Sequence, residues 1–357
     1  MESTSKEIIL ITGITGFIGS WIGKVFSENA LGEFRIRASV RSIKKTEVLR
    51  KEYGDELFNQ LEFVEADLNN KESLFKAVEG VKYIIHVASP IPGAINVSGE
   101  EMLRGARDGM NTIIEAALQN KVKRIVITSS FSTILGDHWR RSERDHIYTE
   151  EDFAPMTTPD GYARSKITQE TIAREFLKNQ KPGEDGYMLE MLTIHPTFVI
   201  GPTLIPERNS TVEAIAKIVN RQIPGIPNFQ HPFVDVRDVA MAHYLAFKTP
   251  GISGGRFIID MAPINMQEVA DILHNELRQY GYRCQNRRIG YCPIKIASWF
   301  DPQVKIILPW INGNIRSTNQ KSIDILGMQY TRDLKQTVID TGYSLIDKGL
   351  VPDKRKK

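Results

Sequence analysis

The chain has 357 residues, 41% of them hydrophobic and 25% charged, and 46 basic against 43 acidic residues leave a formal charge of +3. That balance carries no general nucleic-acid footprint, and no apolar run approaches the roughly 20 residues of a membrane span. Two cysteines, Cys284 and Cys292, frame no disulfide scaffold and no zinc cluster, so no metal is expected.

The N-terminus runs into an apolar strand without a basic leader or cleavage site, which predicts a soluble cytoplasmic protein. Ile8–Thr12, Arg35–Val40, Leu61–Glu65, Tyr83–Val87 and Arg124–Thr128 read as short buried strands. Helix-length stretches separate them at Ser20–Ala30, Lys71–Glu79 and Glu100–Asn120. A helix at Tyr162–Lys178 precedes a sixth strand, Met188–Ile194. Strand and helix in alternation predict an α/β fold, a doubly wound parallel sheet of the Rossmann type.

After Pro196 the rhythm breaks. Prolines and glycines punctuate a loop-rich region around the helix Thr211–Asn220. Phe257–Asp260 reads as a strand, and Met266–Tyr280 and Asp333–Lys348 as helices. The expected organisation is a nucleotide-binding domain over 1–200 that also receives about 232–262. A smaller substrate lobe comprises 201–231 and 263–350, and a frayed basic tail covers 351–357.

Gly13, Thr15, Gly16, Phe17, Ile18 and Gly19 follow the first strand and open a helix. In that position a glycine triplet predicts a dinucleotide site. Gly13 permits the turn, Gly16 lets a pyrophosphate approach, and Gly19 lets helix and strand pack. The free N–H groups of the helix N-terminus then face the phosphates. An NAD site usually carries an acidic residue after the second strand. Here Arg41, Lys44 and Lys45 stand instead, which favours the 2′-phosphate of NADP(H). Asp67 and Leu68 are placed to meet the adenine.

Thr128, Ser129 and Ser130 end the fifth strand. Tyr162 and Lys166 lie four residues apart, on one face of a helix. A nearby ammonium stabilises a phenolate, which suits tyrosine to acid–base work nearer neutral pH. Ser130 suits an oxygen that gains charge. The seven histidines show no metal spacing, and His86 and His195 read as packed, satisfied residues.

These residues resemble the extended short-chain dehydrogenases/reductases, the NAD-dependent epimerase/dehydratase superfamily. The likeness is to the dihydroflavonol-reductase-like branch, which includes cinnamoyl-CoA reductases and fungal NADPH-dependent methylglyoxal/aldehyde reductases. Its markers are Thr12–Gly19, Val40-Arg41-Ser42, His86–Pro90, the Ser130/Tyr162/Lys166 triad, His195–Pro202, Phe233–His243 and Leu326–Tyr330. The resemblance implies an NADP-dependent oxidoreductase, a carbonyl reductase with Ser130, Tyr162 and Lys166 catalytic. It implies cofactor contacts at Val87, Ala88, Ser89, Thr128, Pro196 and Val199. Asp235, Arg237 and Asp238 are implied to anchor the returning lobe.

Pro90, Ile91, Phe131, Ser132 and Phe198 are expected to line the pocket for a small carbonyl substrate. The chain departs from the branch at Asp108, where asparagine is usual. It departs again at Leu135, which argues against a hydroxylated flavonoid. The polar insert Gly136–Tyr148 is expected at the rim. A monomer or homodimer is expected, with no membrane or nucleic-acid partner. The alternatives are an NAD-retaining nucleotide-sugar epimerase/dehydratase, a steroid dehydrogenase/isomerase and a non-enzymatic NADP sensor.

Overall fold

A computed structural model describes residues 6–89, 99–135, 146–158, 160–207, 209–300, 304 and 308–355. The first half is β1 (Ile8–Thr12), α1 (Phe17–Asn29), β2 (Arg35–Val40), α2 (Glu47–Phe58) and β3 (Leu61–Glu65). It continues through α3 (Lys71–Val78), β4 (Val81–His86), α4 (Gly99–Gln119) and β5 (Arg124–Thr128). Then come β6 (Ile147–Tyr148), α5 (Gly161–Asn179), β7 (Glu190–Pro196) and β8 (Phe198–Ile200). The second half holds α6 (Ser210–Val219), β9 (Ile226–Pro227), β10 (Gln230–Asp235), α7 (Val236–Lys248) and β11 (Arg256–Ile259). It closes with β12 (Ala262–Asn265), α8 (Met266–Leu277), β13 (Arg288–Ile289), α9 (Tyr291–Ala297), β14 (Arg316–Ser317), α10 (Gln320–Leu326) and α11 (Leu334–Asp347).

Seven strands form one parallel sheet in the order β11-β7-β5-β4-β1-β2-β3. Alternation along β1 shows why both faces are covered. Ile9 and Ile11 enter one core cluster, which includes Ile22 and Phe26 of α1 and Val239 and Ala246 of α7. Ile8 and Leu10 enter another, with Leu74 of α3, Met110 and Ile113 of α4 and Ala173 of α5. From β1 the strand order runs outward one way through β2 and β3 and the other way through β4, β5, β7 and β11, so it reverses between β1 and β4. That is the switch point, where a crevice opens beyond the carboxyl ends of the strands.

The expected doubly wound sheet is present, with differences. Glu47–Phe58 is helical, although no helix was expected there. Its charged sequence buries only Leu49, Tyr53 and Phe58, and Gly54 at φ +79° interrupts it. The segment 233–243 is two elements joined without a loop, since Asp235 ends β10 and caps α7 through its bond to the Arg237 N–H. β10 also pairs with β8 and β12 in a small second sheet.

Asp235, Arg237 and Asp238 do bind the C-terminal elements. Asp235 accepts from Thr337 Oγ1 at 2.8 Å, Arg237 pairs with Asp340 at 2.9 Å, and Asp238 pairs with Arg332. The tail is not frayed as far as it is described. Tyr282 donates to the Pro352 carbonyl at 2.7 Å, and Arg355 pairs with Asp347 at 2.7 Å. Asp347, the last residue of α11, supplies the acidic partner that holds this basic tail. Among the described residues no helix is long and apolar enough to cross a membrane.

Candidate active site

The glycine turn and the end of β4 form one cradle. Gly13 sits at φ +72°, in the left-handed region that favours glycine. A Cβ there would lie 3.0 Å from the Ala88 backbone. At Gly19 a Cβ would lie 2.0 Å from the Gly13 carbonyl oxygen, so turn and helix touch through bare backbone. Gly16 caps α1 with no side-chain bond, which leaves its first N–H groups uncovered by a side chain.

Thr12 holds the cradle shut from below. Its Oγ1 accepts from the N–H groups of Val87 at 3.1 Å and Ala88 at 3.0 Å, and faces His86 Nδ1 at 3.1 Å. The hydroxyl proton therefore goes to Nδ1, and the His86 proton sits on Nε2. Burial, with the Lys166 charge adding to it, holds His86 down to about 3, so the ring is neutral. His86 Nε2 and Ser89 Oγ are both buried without a protein partner. Unpaired polar atoms beside a glycine cradle fit a bound polar ligand.

Tyr162 opens α5, capped by Asp160, and Lys166 follows one turn later. Lys166 is buried and donates from Nζ to the Thr128 carbonyl at 2.8 Å. Burial holds its ammonium down to about 8. Tyr162 is partly buried; desolvation pushes its phenol up, and a hydrogen bond with Ser130 opposes that. Ser130 in turn receives a bond from Ser132 Oγ at 3.0 Å. The fold thus brings Ser130, Tyr162 and Lys166 together. Thr128 Oγ1 meets His243 Nε2 at 2.7 Å, and that ring is fixed by the Val239 carbonyl at 2.8 Å.

Behind Ser130 lies a buried polar cluster that sequence reasoning missed. Glu170, one turn past Lys166, places Oε1 2.6 Å from Arg256 Nε. Its Oε2 accepts from Ser129 Oγ at 3.3 Å. Burial pushes the Glu170 carboxyl up, but His195, Arg256 and Thr133 outweigh it and hold it below the usual carboxylate range. His195 is wholly buried and held down to about 4, so Arg256 is the cation at neutral pH. His195 Nδ1 donates to the Ser130 carbonyl at 3.2 Å and lies 3.0 Å from Thr133 Oγ1. The spacing 162, 166, 170 was the available signal.

Arg41, Lys44 and Lys45 are exposed beyond β2, and their turn is held by Glu65, which accepts from the Ile43 N–H at 3.1 Å. Glu207 lies within their field: burial pushes its carboxyl up, and Arg41 and Lys45 oppose that. The Asp67 carboxylate accepts from the Asn69 N–H at 2.8 Å, and a Cβ added at Gly109 would lie 3.7 Å from the Leu68 side chain. Pro196, the last residue of β7, and Val199, in the middle of β8, are buried.

Pro90, Ile91 and most of the insert Gly136–Tyr148 lie outside the described residues. Phe131 is 2% exposed and packs with Ile134, Tyr148, Ile258 and Ile315, which accounts for it without a ligand. Phe198 edges His231 at 6.1 Å, and Trp310 lies tilted against the same ring at 5.5 Å. His231 and Trp310 were not anticipated. Asp108 is exposed on α4.

Residues 9–259 match the NAD dependent epimerase/dehydratase family. Cinnamoyl-CoA reductase 1 of Arabidopsis thaliana is 31% identical over 355 residues, covering 98% of this chain and 92% of that one. A putative NADPH-dependent methylglyoxal reductase of Candida albicans is 25% identical over 96% of this chain and 99% of its own length. The crystal structure of Gre2 from Candida albicans in complex with NADPH superposes with a TM-score of 0.75 at 24% identity, over 96% of this chain and 99% of that one.

Proposed function

The chain belongs to the NAD dependent epimerase/dehydratase family, and on that premise we propose that it is an NADPH-dependent reductase of ketones and aldehydes, 1,2-dicarbonyls among them. The observation that carries this reading is the meeting of Ser130, Tyr162 and Lys166 at the carboxyl end of the sheet, beside the glycine cradle.

The cradle residues fit a dinucleotide. Gly13, Thr15, Gly16, Phe17, Ile18 and Gly19 would hold its pyrophosphate, with the α1 N–H groups as donors. Val87, Ala88 and Ser89 would flank it, and Thr128, Pro196 and Val199 would border the nicotinamide half. Asp67 and Leu68 would meet the adenine. Arg41 and Lys45 would take the 2′-phosphate, displacing the field of Glu207. When bound, the reduced nicotinamide supplies the hydride.

The chain's own residues supply the rest. Tyr162 gives its phenolic proton to the substrate oxygen, and the product is the alcohol. Ser130 donates to that oxygen and orients it, with Ser132 as its own donor. Lys166, held close to its titration point, keeps the phenolate accessible and bonds the ribose. Phe198, Pro90 and Ile91 would form the apolar side of the pocket.

NADPH oxidation against a panel of aldehydes, ketones and dicarbonyls tests this reading. Turnover with several members is expected. Tight NADPH binding without turnover of any member would leave a cofactor sensor, and retained NAD would leave an epimerase.

A further inference from the structure

We infer that the Glu170–Arg256 ion pair is the positioning element for Ser130, locking the turn that carries the serine to the helix that carries Tyr162 and Lys166. This rests on the reductase reading for its kinetic consequence, but its geometry does not.

The pair joins three segments. Glu170 lies on α5, eight residues after Tyr162, so both fall on the same helical face. It is 4% exposed, and Arg256, at the start of β11, is 6% exposed. The first segment is the serine turn 129–133. Ser129 Oγ donates to Glu170 at 3.3 Å. The Ser130 carbonyl takes bonds from Thr133 Oγ1 at 3.0 Å and His195 Nδ1 at 3.2 Å, and the His195 Nδ1 also lies 3.9 Å from Glu170.

The second segment leads into α5. Arg256 Nη1 donates to the Asp152 carbonyl at 2.7 Å and to that of Glu150. The Phe153 ring covers the guanidinium at 4.1 Å. The third segment is β7 with β11, where Thr193 Oγ1 holds His195 Nε2 at 2.7 Å.

A buried ion pair is weak evidence for stability, because desolvation consumes most of its attraction. What this pair does supply is geometry. A guanidinium fork accepts few arrangements of its partners. Arg256 Nη1 reaches the Glu150 and Asp152 carbonyls, Nη2 lies 3.5 Å from the Thr133 carbonyl, and Nε faces the Glu170 carboxylate that takes the Ser129 hydroxyl. Loss of the fork would let the turn drift while the cofactor cradle, on β1 and β4, stays in place.

The test uses Glu170→Gln, which keeps volume and an acceptor for Ser129 but removes the charge facing Arg256. Arg256→Lys is the second variant, which keeps the charge but loses the fork, and it decides the matter if the first fails to fold. For the full chain, kcat should fall by about 10²-fold in Glu170→Gln, and in the same direction in Arg256→Lys. The KM for NADPH should stay within about twofold, at a temperature well below either melting point. Hydrogen exchange over 129–135 should quicken while β1 and β2 keep their protection.

A lowered melting temperature with wild-type kcat in the folded variants would reduce the pair to a structural role and overturn the inference. Should the wild type reduce no carbonyl at all, the reductase reading fails, and exchange alone decides. Faster exchange confined to 129–135 then supports the positioning role, and unchanged exchange overturns it.

Discussion

Lys166 donates from Nζ to the Thr128 carbonyl over 2.8 Å, so the ammonium of α5 is tied to the last residue of β5. The bond spends one of three donors and leaves the others for a ligand. Burial holds this lysine at about 8 when folded, against about 10.4 in an unfolded chain. Between those values the unfolded chain binds the extra proton, so folding gains stability as pH rises. In cofactor-free protein, wild type should therefore gain on Lys166→Met between pH 8 and 10, by up to about 3 kcal/mol. Urea unfolding at the two pH values checks this, and a constant difference would show a normally titrating lysine.

Tyr162→Phe keeps the ring and its packing but deletes the proton donor. NADPH binding, followed by fluorescence titration, should survive. Carbonyl reduction should fall by about 10²–10⁴-fold. Near-full turnover would remove Tyr162 from the mechanism.

Arg41→Ala tests cofactor choice. Loss of a charge-assisted phosphate bond should raise the KM for NADPH by the equivalent of about 1.5–3 kcal/mol. The KM for NADH should hardly move. Equal changes for both cofactors would place the 2′-phosphate elsewhere.

Gly19→Ala would drive a methyl group into the Gly13 carbonyl, 2.0 Å from the ideal Cβ. Overpacking of this kind costs about 1–3 kcal/mol. A lower melting temperature and weakened NADPH binding are expected together, by calorimetry and titration. Unchanged binding would detach the turn from the phosphates.

Acid should destabilise the fold. Burial holds His86 near 3 and His195, His231 and His243 near 4. The unfolded chain takes up those protons below about 6.5, so each ring withdraws up to about 2 kcal/mol by pH 5. Burial acts in reverse on Asp260, raised to about 7, and Asp238, raised to about 6, which favour the folded state as pH falls. Glu150, Asp160 and Glu207, also pushed up by burial, act in the same sense as the two aspartates; the four rings carry the larger effect, and urea unfolding should show a net loss between pH 7 and 5. Equal stability at both would contradict the burial of these rings.

The parallel sheet was legible because β1, β2, β4 and β5 are short apolar runs between helices, a pattern set by burial on both faces. The glycine turn and the 162/166 pair were legible because they are local in sequence. Glu170–Arg256 was not, since its partners are 86 positions apart and nothing local marks a buried arginine. Glu207 escaped for the same reason: only folding brings residue 207 into the field of residue 41. The helix Glu47–Phe58 was missed because its few apolar residues bury a narrow face, and Gly54 breaks the period.

The bonds from Asp235 and Arg237 to Thr337 and Asp340 have a consequence for synthesis. A ribosome delivers the dinucleotide cradle first and α11 near the end. Until that last helix arrives, Asp235, at the end of β10 and fully buried in the finished fold, has Arg237 beside it but lacks its Thr337 donor. A stall or cleavage before residue 337 should leave a species that chaperones and proteases recognise, although every residue of the cradle and the triad has already been made.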